Sequence, residues 1–198
     1  MGQVKTQTRY STPQEYLAVE RVAEFRHEYL DGEIFAMAGA SKRHNRISVN
    51  AIHLIETQIR DRDCSVYGSD MRIRIPHTNL YTYPDVVGIC GPEEFEDDTE
   101  DNLLNPALIV EVLSKSTEAY DRGAKFESYQ TIESLREYVL ITQEPFRVEQ
   151  FVRKDTNVWT YFEFRKPDDV VKLNSINCEL SLKDIYHKIQ QKFPKEII

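Results

Sequence analysis

Two apolar segments of this chain each contain one carboxylate, and this combination limits the possible folds more than any other feature. Residues 81–90 carry Asp85, and residues 106–114, Pro-Ala-Leu-Ile-Val-Glu-Val-Leu-Ser, carry Glu111. Near-continuous apolar runs of this length are typical of strands buried on both faces. Carboxylates are rarely buried unless they are paired or bind a metal. If the strands are neighbours, the two acids repel each other unless a cation or a shared proton lies between them. The pattern therefore predicts a candidate metal site.

The size and hydrophobicity of the chain predict one domain, residues 1–198. At 198 residues, of which 40% are hydrophobic, the chain has the size of a single domain with a substantial core. No run of 18 apolar residues occurs, and the first residues lack the apolar segment of a signal peptide. We therefore expect a soluble, cytoplasmic protein with no membrane partner.

The three cysteines, Cys64, Cys90 and Cys178, match no metal-ligand spacing. Their odd number and the expected intracellular location argue against a disulfide framework or a zinc site. Free cysteine is among the most buried residue types. We therefore predict reduced, mostly packed thiols.

The charge of the chain argues against a protein that coats nucleic acid. Its net charge is −8, whereas nonspecific affinity for nucleic acid comes largely from basic side chains that neutralise phosphates. A local basic groove remains open, because residues 42–74 are rich in lysine and arginine. The acidic segment 93–98, Glu-Glu-Phe-Glu-Asp-Asp, reads as a solvated loop, with metal recruitment as the alternative.

Hydrophobic periodicity and turn residues predict alternating helices and strands. Asp31-Gly32 favours a tight hairpin turn, and apolar residues recur at helical spacing from Ile47 to Ile59. The predicted helices cover residues 12–21, 41–60, 118–132 and 181–192. The predicted strands cover residues 27–30, 33–37, 64–67, 71–75, 81–90, 108–113, 137–142, 147–153, 157–164 and 170–173.

One lysine of the helix predicted at 118–132 points toward the apolar side. Phe126, Tyr129 and Ile132 form the apolar stripe, and at 100° per residue Lys125 projects between the last two. Asp121 lies one turn earlier, in favourable order for an ion pair with Lys125. The lysine either lays its methylenes on the core and reaches water, or it serves a buried site near Glu111.

Several motifs occur in a characteristic order. They are Tyr-Pro-Asp-Val-Val with Asp85, the strand with Glu111, Ser-Thr-x-x-x-Asp-x-x-x-Lys with Asp121 and Lys125, Tyr129, and Glu-Tyr-Val-Leu-Ile at 137–141. Upstream stand Glu-Tyr-Leu-Asp-Gly-Glu-Ile at 28–34, Met37 and Ser41-x-x-His44. This order resembles a large bacterial family described as restriction endonucleases, within the PD-(D/E)XK nuclease superfamily. The resemblance extends to about residue 152.

The resemblance implies an α/β, restriction-endonuclease-like fold, with a central mixed β-sheet flanked by helices. It implies a DNA endonuclease with Mg²⁺ or Mn²⁺ held by Asp85, Glu111 and the carbonyl of Val112. Hard cations with oxygen ligands stabilise the charge that builds up during phosphodiester hydrolysis. Glu28 is implied as an additional acid. The superfamily lysine usually stands two residues after the second acid, where this chain has Leu113, so Lys125 is expected to supply the ammonium.

The sequence also offers two supporting side chains, His44 and Asp121, and two alternative functions. His44 faces the same side of its helix as Ile47, and it is either a packing residue or, with Asp121, a supporting residue of the site. A catalytically silent nucleic-acid-binding module and a hydrolase of small phosphodiesters are the alternatives to a DNA endonuclease. A homodimer is expected because two symmetric sites suit cutting of two strands.

Overall fold

The structure, a computed structural model, describes residues 11–189 and contains five α-helices and thirteen strands in that range. The helices are α1 Pro13–Glu20, α2 Lys42–Ile59, α3 Glu118–Arg122, α4 Ala124–Tyr129 and α5 Leu182–Ile185. The strands are β1 His27–Leu30, β2 Glu33–Ala36, β3 Cys64–Gly68, β4 Arg72–Ile75, β5 Leu80–Thr82, β6 Val86–Cys90, β7 Asn102–Leu103, β8 Leu108–Leu113, β9 Glu137–Thr142, β10 Val148–Asp155, β11 Val158–Phe164, β12 Val170–Leu173 and β13 Cys178–Ser181.

The strands form three sheets. The central sheet has the order β11-β10-β9-β8-β6-β3 and is mixed, because β8 and β9 run parallel while its other neighbours are antiparallel. A second sheet has the order β2-β1-β5-β4-β7, and β12 and β13 form a hairpin. Strands β8 and β9 are buried at every position, as their continuous apolar sequences require.

Two apolar cores cover the two faces of the central sheet. On one face, Ile47 and Ile55 of α2 pack with α5 and the β12–β13 hairpin. On the other face, Phe126 and Tyr129 of α4 pack with Ile73 and other side chains of the second sheet. Helix α1 covers the second sheet through a smaller aromatic cluster. The two larger sheets are therefore packed together through the core that also contains α4.

The prediction of a single strand at residues 81–90 is wrong. The structure divides it into β5 in the second sheet and β6 in the central sheet, joined by Tyr83, Pro84 and Asp85. Proline lacks the N–H that a sheet ladder needs, so the ladder stops at this point. The chain therefore passes from one sheet to the other immediately before Asp85.

The helix predicted at residues 118–132 is also divided, into α3 and α4, with Gly123 between them. A Cβ atom at Gly123 would lie 3.1 Å from the carbonyl oxygen of Ala119, so glycine fits this close approach best. Helix α5 is only four residues long and is shorter than the helix predicted at residues 181–192. The part of the predicted helix 181–192 after residue 189 lies outside the described residues.

The prediction for the cysteines is wrong for two of the three. Cys64 and Cys90 form a disulfide, whereas Cys178 is a buried free thiol, as predicted. The reason lies in the register of β3 and β6, which pairs Cys64 directly with Cys90. This pairing cannot be read from the spacing of the cysteines in the sequence.

Candidate functional site

The register of β6 and β8 brings Asp85 beside Glu111. Val86 pairs with Val110 in these antiparallel strands, so the residue before β6 comes level with Glu111. The carboxylate of Asp85 continues the ladder, because its Oδ2 accepts a hydrogen bond of 2.7 Å from the N–H of Val112. The two acids singled out in the sequence therefore lie on neighbouring strands.

Glu28 approaches from the second sheet. Tyr29 of β1 pairs with Tyr81 of β5, which places Glu28 level with Thr82. The hydroxyl of Thr82 donates a hydrogen bond to Oε1 of Glu28, and both side chains are buried. Only two residues separate Thr82 from Asp85. The short connection between the sheets therefore also places Glu28 near Asp85 and Glu111.

Lys125 lies at the centre of these carboxylates. Its Nζ is 2.8 Å from Glu111, 3.2 Å from Glu28 and 3.7 Å from Asp121. Side chains alternate along a strand, so Glu111 and Leu113 point to the same face of β8, the face that α4 covers. Lys125 therefore reaches Glu111 from the side on which the usual superfamily lysine would stand, and Leu113 packs in the core.

Burial and charge set the protonation of this cluster. Burial raises the pKa of Glu111 to about 8, although Lys125 opposes the shift. Burial likewise raises the pKa of Asp121 against the effect of Lys125. For Lys125 itself, burial favours the neutral amine, but the charges of Glu111 and Glu28 outweigh it and raise its pKa well above the ordinary value. Lys125 is therefore an ammonium ion near neutral pH.

A tyrosine fixes the position of Glu111. The hydroxyl of Tyr129 donates a hydrogen bond of 2.7 Å to Oε1 of Glu111, the same oxygen that contacts Lys125. Tyr129 is completely buried on α4 and stacks edge to face with Tyr138. The sequence indicated a core aromatic at this position, but not this hydrogen bond or the one from Thr82.

His44 contacts the cluster from the first turn of α2. Ser41 caps the helix by accepting a hydrogen bond from the N–H of His44. The ring Nε2 of His44 lies 3.1 Å from Oδ2 of Asp85. His44 therefore contacts Asp85, a residue of the candidate site, as well as lying on the same helix face as Ile47.

The cluster forms the floor of an open cleft. The cleft has a volume of about 1020 Å³, and it is lined by Asp85, Glu111, Lys125 and His44 together with residues from the loop that follows β8. Within the described residues, seven carboxylates and five lysine or arginine side chains line it. Most of these cations are paired, as Arg26 is with Asp70. The cleft is therefore more acidic than basic.

The basic and acidic segments of the sequence pair with each other. Arg72, which is buried, contacts Asp101 at 2.8 Å, and Arg74 contacts Glu96 at 3.4 Å. Arg21, the residue after α1, also binds Asp101, at 2.8 Å. The basic groove left open by the sequence is therefore not built from Arg72 and Arg74. The acidic segment is only partly a solvated loop, because its Glu96 contacts Arg74 and its Asp97 contacts Arg21.

The donor atoms at the floor of the cleft suit a hard cation. Within residues 11–189, no group of three or more His, Cys, Asp or Glu side chains is arranged around a common metal position. The contacts of Asp85 and Glu111 with other described residues use Oδ2 and Oε1, so Oδ1 and Oε2 remain as oxygen donors. Two such donors fit Mg²⁺, which usually keeps several waters and borrows phosphate oxygens.

Within the described range, no helix has the length and apolar character needed to cross a membrane.

Known proteins resemble the chain in sequence and in fold. It is 40% identical over 156 residues to the uncharacterized protein sll1609 of Synechocystis sp. PCC 6803, which covers 79% of this chain and 88% of that protein. It is 37% identical over 175 residues to slr1290 of the same organism, covering 88% and 90%. A crystal structure of "a putative nuclease belonging to DUF820" from Anabaena variabilis matches with a TM-score of 0.72 at 19% identity, over 89% of this chain and 97% of that one.

The structural match confirms the predicted restriction-endonuclease-like fold. The family model Uma2, described as "Putative restriction endonuclease", matches residues 13–183 and confirms the resemblance seen in the motifs. The chain therefore belongs to the Uma2 family of putative restriction endonucleases.

Proposed function

We propose that this protein is a metal-dependent endonuclease that hydrolyses phosphodiester bonds of DNA. The observation that carries the proposal is the position of Lys125, whose ammonium lies 2.8 Å from Glu111 and 3.2 Å from Glu28 at the floor of an open cleft beside Asp85. Carboxylates that meet at a cleft can position a cation, and a buried ammonium beside them can stabilise negative charge. This combination suits the hydrolysis of phosphodiester bonds. The family and its related fold support the same class of reaction.

The metal-binding role falls to Asp85 and Glu111, with the carbonyl of Val112 as a further ligand. The N–H and C=O of one strand residue point to the same side, and the N–H of Val112 already faces Asp85. A bound Mg²⁺ or Mn²⁺ would supply Lewis-acid stabilisation of charge on the phosphate oxygens. Glu28 and Asp121 hold Lys125, and His44 holds Asp85 in place.

Lys125 acts as an ammonium ion in this proposal. Because its pKa is raised by Glu111 and Glu28 against the effect of burial, it holds its proton and is poorly suited to deprotonate water. It orients the attacking water and offsets negative charge on the phosphate.

The test is cleavage of supercoiled plasmid by purified protein with Mg²⁺ or Mn²⁺, with and without EDTA. Asp85→Asn and Glu111→Gln are expected to lose at least about 100-fold of the activity, because they remove the carboxylates that place the cation. The matched control is Asp70→Asn, which removes a largely exposed carboxylate from the rim of the same cleft and is expected to keep near-normal activity. Cleavage that survives EDTA and both site variants would overturn the proposal.

A hydrolase of small phosphodiesters is the second candidate, and the acidic lining of the cleft favours it. Seven carboxylates against five basic side chains repel a long polyanion more than a short one. Comparison of plasmid with bis(p-nitrophenyl) phosphate distinguishes the two functions. Binding of DNA without turnover would instead identify the silent binding module. The homodimer stays a prediction, which sedimentation analysis can test.

A further inference from the structure

One carboxylate oxygen of Glu111 contacts two side chains, one cationic and one neutral. Oε1 contacts the ammonium of Lys125 at 2.8 Å and accepts the hydroxyl of Tyr129 at 2.7 Å. Lys125 and Glu111 are both about 5% exposed, so water screens their interaction poorly. The contact between Lys125 and Glu111 is therefore a strong one, made at a carboxylate that the proposed function assigns to a metal.

The cluster contains more buried carboxyl groups than cationic groups. Lys125 is within 4 Å of three carboxylates, those of Glu28, Glu111 and Asp121, and each of these side chains is at most 7% exposed. Removal of one partner from a buried charge pair leaves an uncompensated charge and is strongly unfavourable. Burial therefore lets these carboxyl groups ionise only beside a cation, and without a metal that cation is Lys125.

We propose that Lys125 is the resident cation of this site and that a divalent metal ion must compete with it for Glu111. The inference rests on the proposed metal-dependent function and adds a second task for the lysine. A divalent ion on Glu111 would lie close to the ammonium, and like charges repel strongly at such distances in a weakly polar interior. The metal therefore binds at the expense of the contact between Lys125 and Glu111.

The competition between the metal and Lys125 also affects the binding of substrate. A bound metal adds its positive charge to a site in which three carboxyl groups surround one ammonium. The phosphate of a substrate then meets two cations, the metal and Lys125, in the same cleft. Metal and phosphodiester are therefore expected to strengthen each other's binding.

The test is the affinity for Mn²⁺, measured by isothermal titration calorimetry without substrate. Lys125→Met keeps an unbranched apolar side chain, shorter by the one terminal atom, and removes the charge. The inference predicts that Lys125→Met binds Mn²⁺ at least about tenfold more tightly than the wild type, because an unpaired buried carboxylate gains more from a cation.

The matched control is Tyr129→Phe. It removes the other partner of the same Glu111 oxygen without any change in charge. Its affinity for Mn²⁺ is expected to be equal to or weaker than that of the wild type, because the carboxylate loses orientation and keeps its lysine. If Tyr129→Phe and Lys125→Met increase the affinity for Mn²⁺ equally, the cause is the loss of a partner of the Glu111 oxygen and not the removal of the ammonium. That result would overturn the inference.

The remaining outcomes separate this inference from the proposed function. Binding by the wild type with equal or weaker binding by Lys125→Met would overturn the inference and leave the metal-dependent function standing. No Mn²⁺ binding by either protein, as isolated or with a DNA oligonucleotide added, would overturn both.

Folding of the variant is checked by thermal unfolding in EDTA and in Mn²⁺. If Lys125→Met does not fold under either condition, Lys125→Met/Asp121→Asn is compared with Asp121→Asn, because the double variant removes one charge of each sign. Tighter Mn²⁺ binding by the double variant supports the inference, and equal or weaker binding overturns it.

Discussion

Thr82 and Glu28 lie opposite each other on β5 and β1, and the hydroxyl of Thr82 donates a hydrogen bond to the Glu28 carboxylate. Thr82→Val removes this donor with little change in shape. We expect it to lower the free energy of unfolding by about 1–3 kcal/mol, because a buried acceptor loses its partner. We also expect a loss of roughly 10-fold to 100-fold in DNA cleavage, because Glu28 is no longer held against Lys125. Urea unfolding and plasmid cleavage measure the two effects.

The control for this prediction is Thr82→Ser, which keeps the hydroxyl. It is expected to retain most of the activity. If Thr82→Val and Thr82→Ser lose activity equally, the hydrogen bond to Glu28 is not the cause.

Glu137 is expected to be structural even though it belongs to the motif Glu-Tyr-Val-Leu-Ile. Its carboxylate accepts hydrogen bonds from the side chain of Gln150, from the backbone N–H groups of Asn174 and Ser175, and from the Ser175 hydroxyl. Glu137→Ala leaves these donors unsatisfied and is expected to cost about 3 kcal/mol or more of stability. Activity per folded molecule, measured at low temperature, is expected to stay near normal, and a selective loss of activity would contradict this role.

Asp101 is expected to make stability depend on acidic pH. Its hydrogen bond to Arg21 lowers its pKa, with Arg72 adding to the effect. The folded protein therefore holds this proton less tightly than the unfolded chain does. The stabilisation is complete above the unfolded pKa and is lost as the pH falls through the folded one.

Asp101→Asn is expected to lower stability at pH 7 by roughly 1.5 kcal/mol and to flatten the loss of stability below about pH 4. Urea midpoints at several pH values measure this change. The control is Asp98→Asn in the same loop, since Asp98 is exposed. An equal flattening by Asp98→Asn would argue for a general charge effect.

The disulfide between Cys64 and Cys90 is expected to stabilise the fold without serving the site. The two cysteines are 26 residues apart, a loop for which chain entropy gives about 3.5 kcal/mol. Dithiothreitol is therefore expected to lower the urea midpoint of the wild type but not that of Cys64→Ala/Cys90→Ala. Cys90 lies at the end of β6 opposite to Asp85, so cleavage by the folded protein is expected to be insensitive to the reductant.

The sequence predicted best those elements whose pattern is local. β1, β8, β9 and β12 have the predicted bounds, because each is a short apolar or alternating run between clear turn residues. β7 and β13 were not predicted. β7 is only two residues long, and β13 is recognisable only through its partner β12.

The residues of the candidate site stand out in the sequence because charges in apolar positions are visible there. Asp85, Glu111 and Lys125 interrupt apolar patterns, and the structure brings them together. The hydroxyl groups of Thr82 and Tyr129 could not be predicted in the same way, because threonine in a strand and tyrosine on an apolar helix face are ordinary. Their roles depend on the register between strands and on the docking of α4, which are tertiary properties.

The connection of Tyr83, Pro84 and Asp85 between the two larger sheets has a consequence for how the protein matures. Glu28 and its hydroxyl partner belong to one sheet, Glu111 belongs to the other, and Lys125 arrives on a helix packed between them. A folding intermediate with only one of these sheets formed would lack part of the cluster. Under the proposed function, a chain in which only one of the two sheets has formed therefore cannot assemble the complete cluster, and catalysis depends on the docking of both sheets.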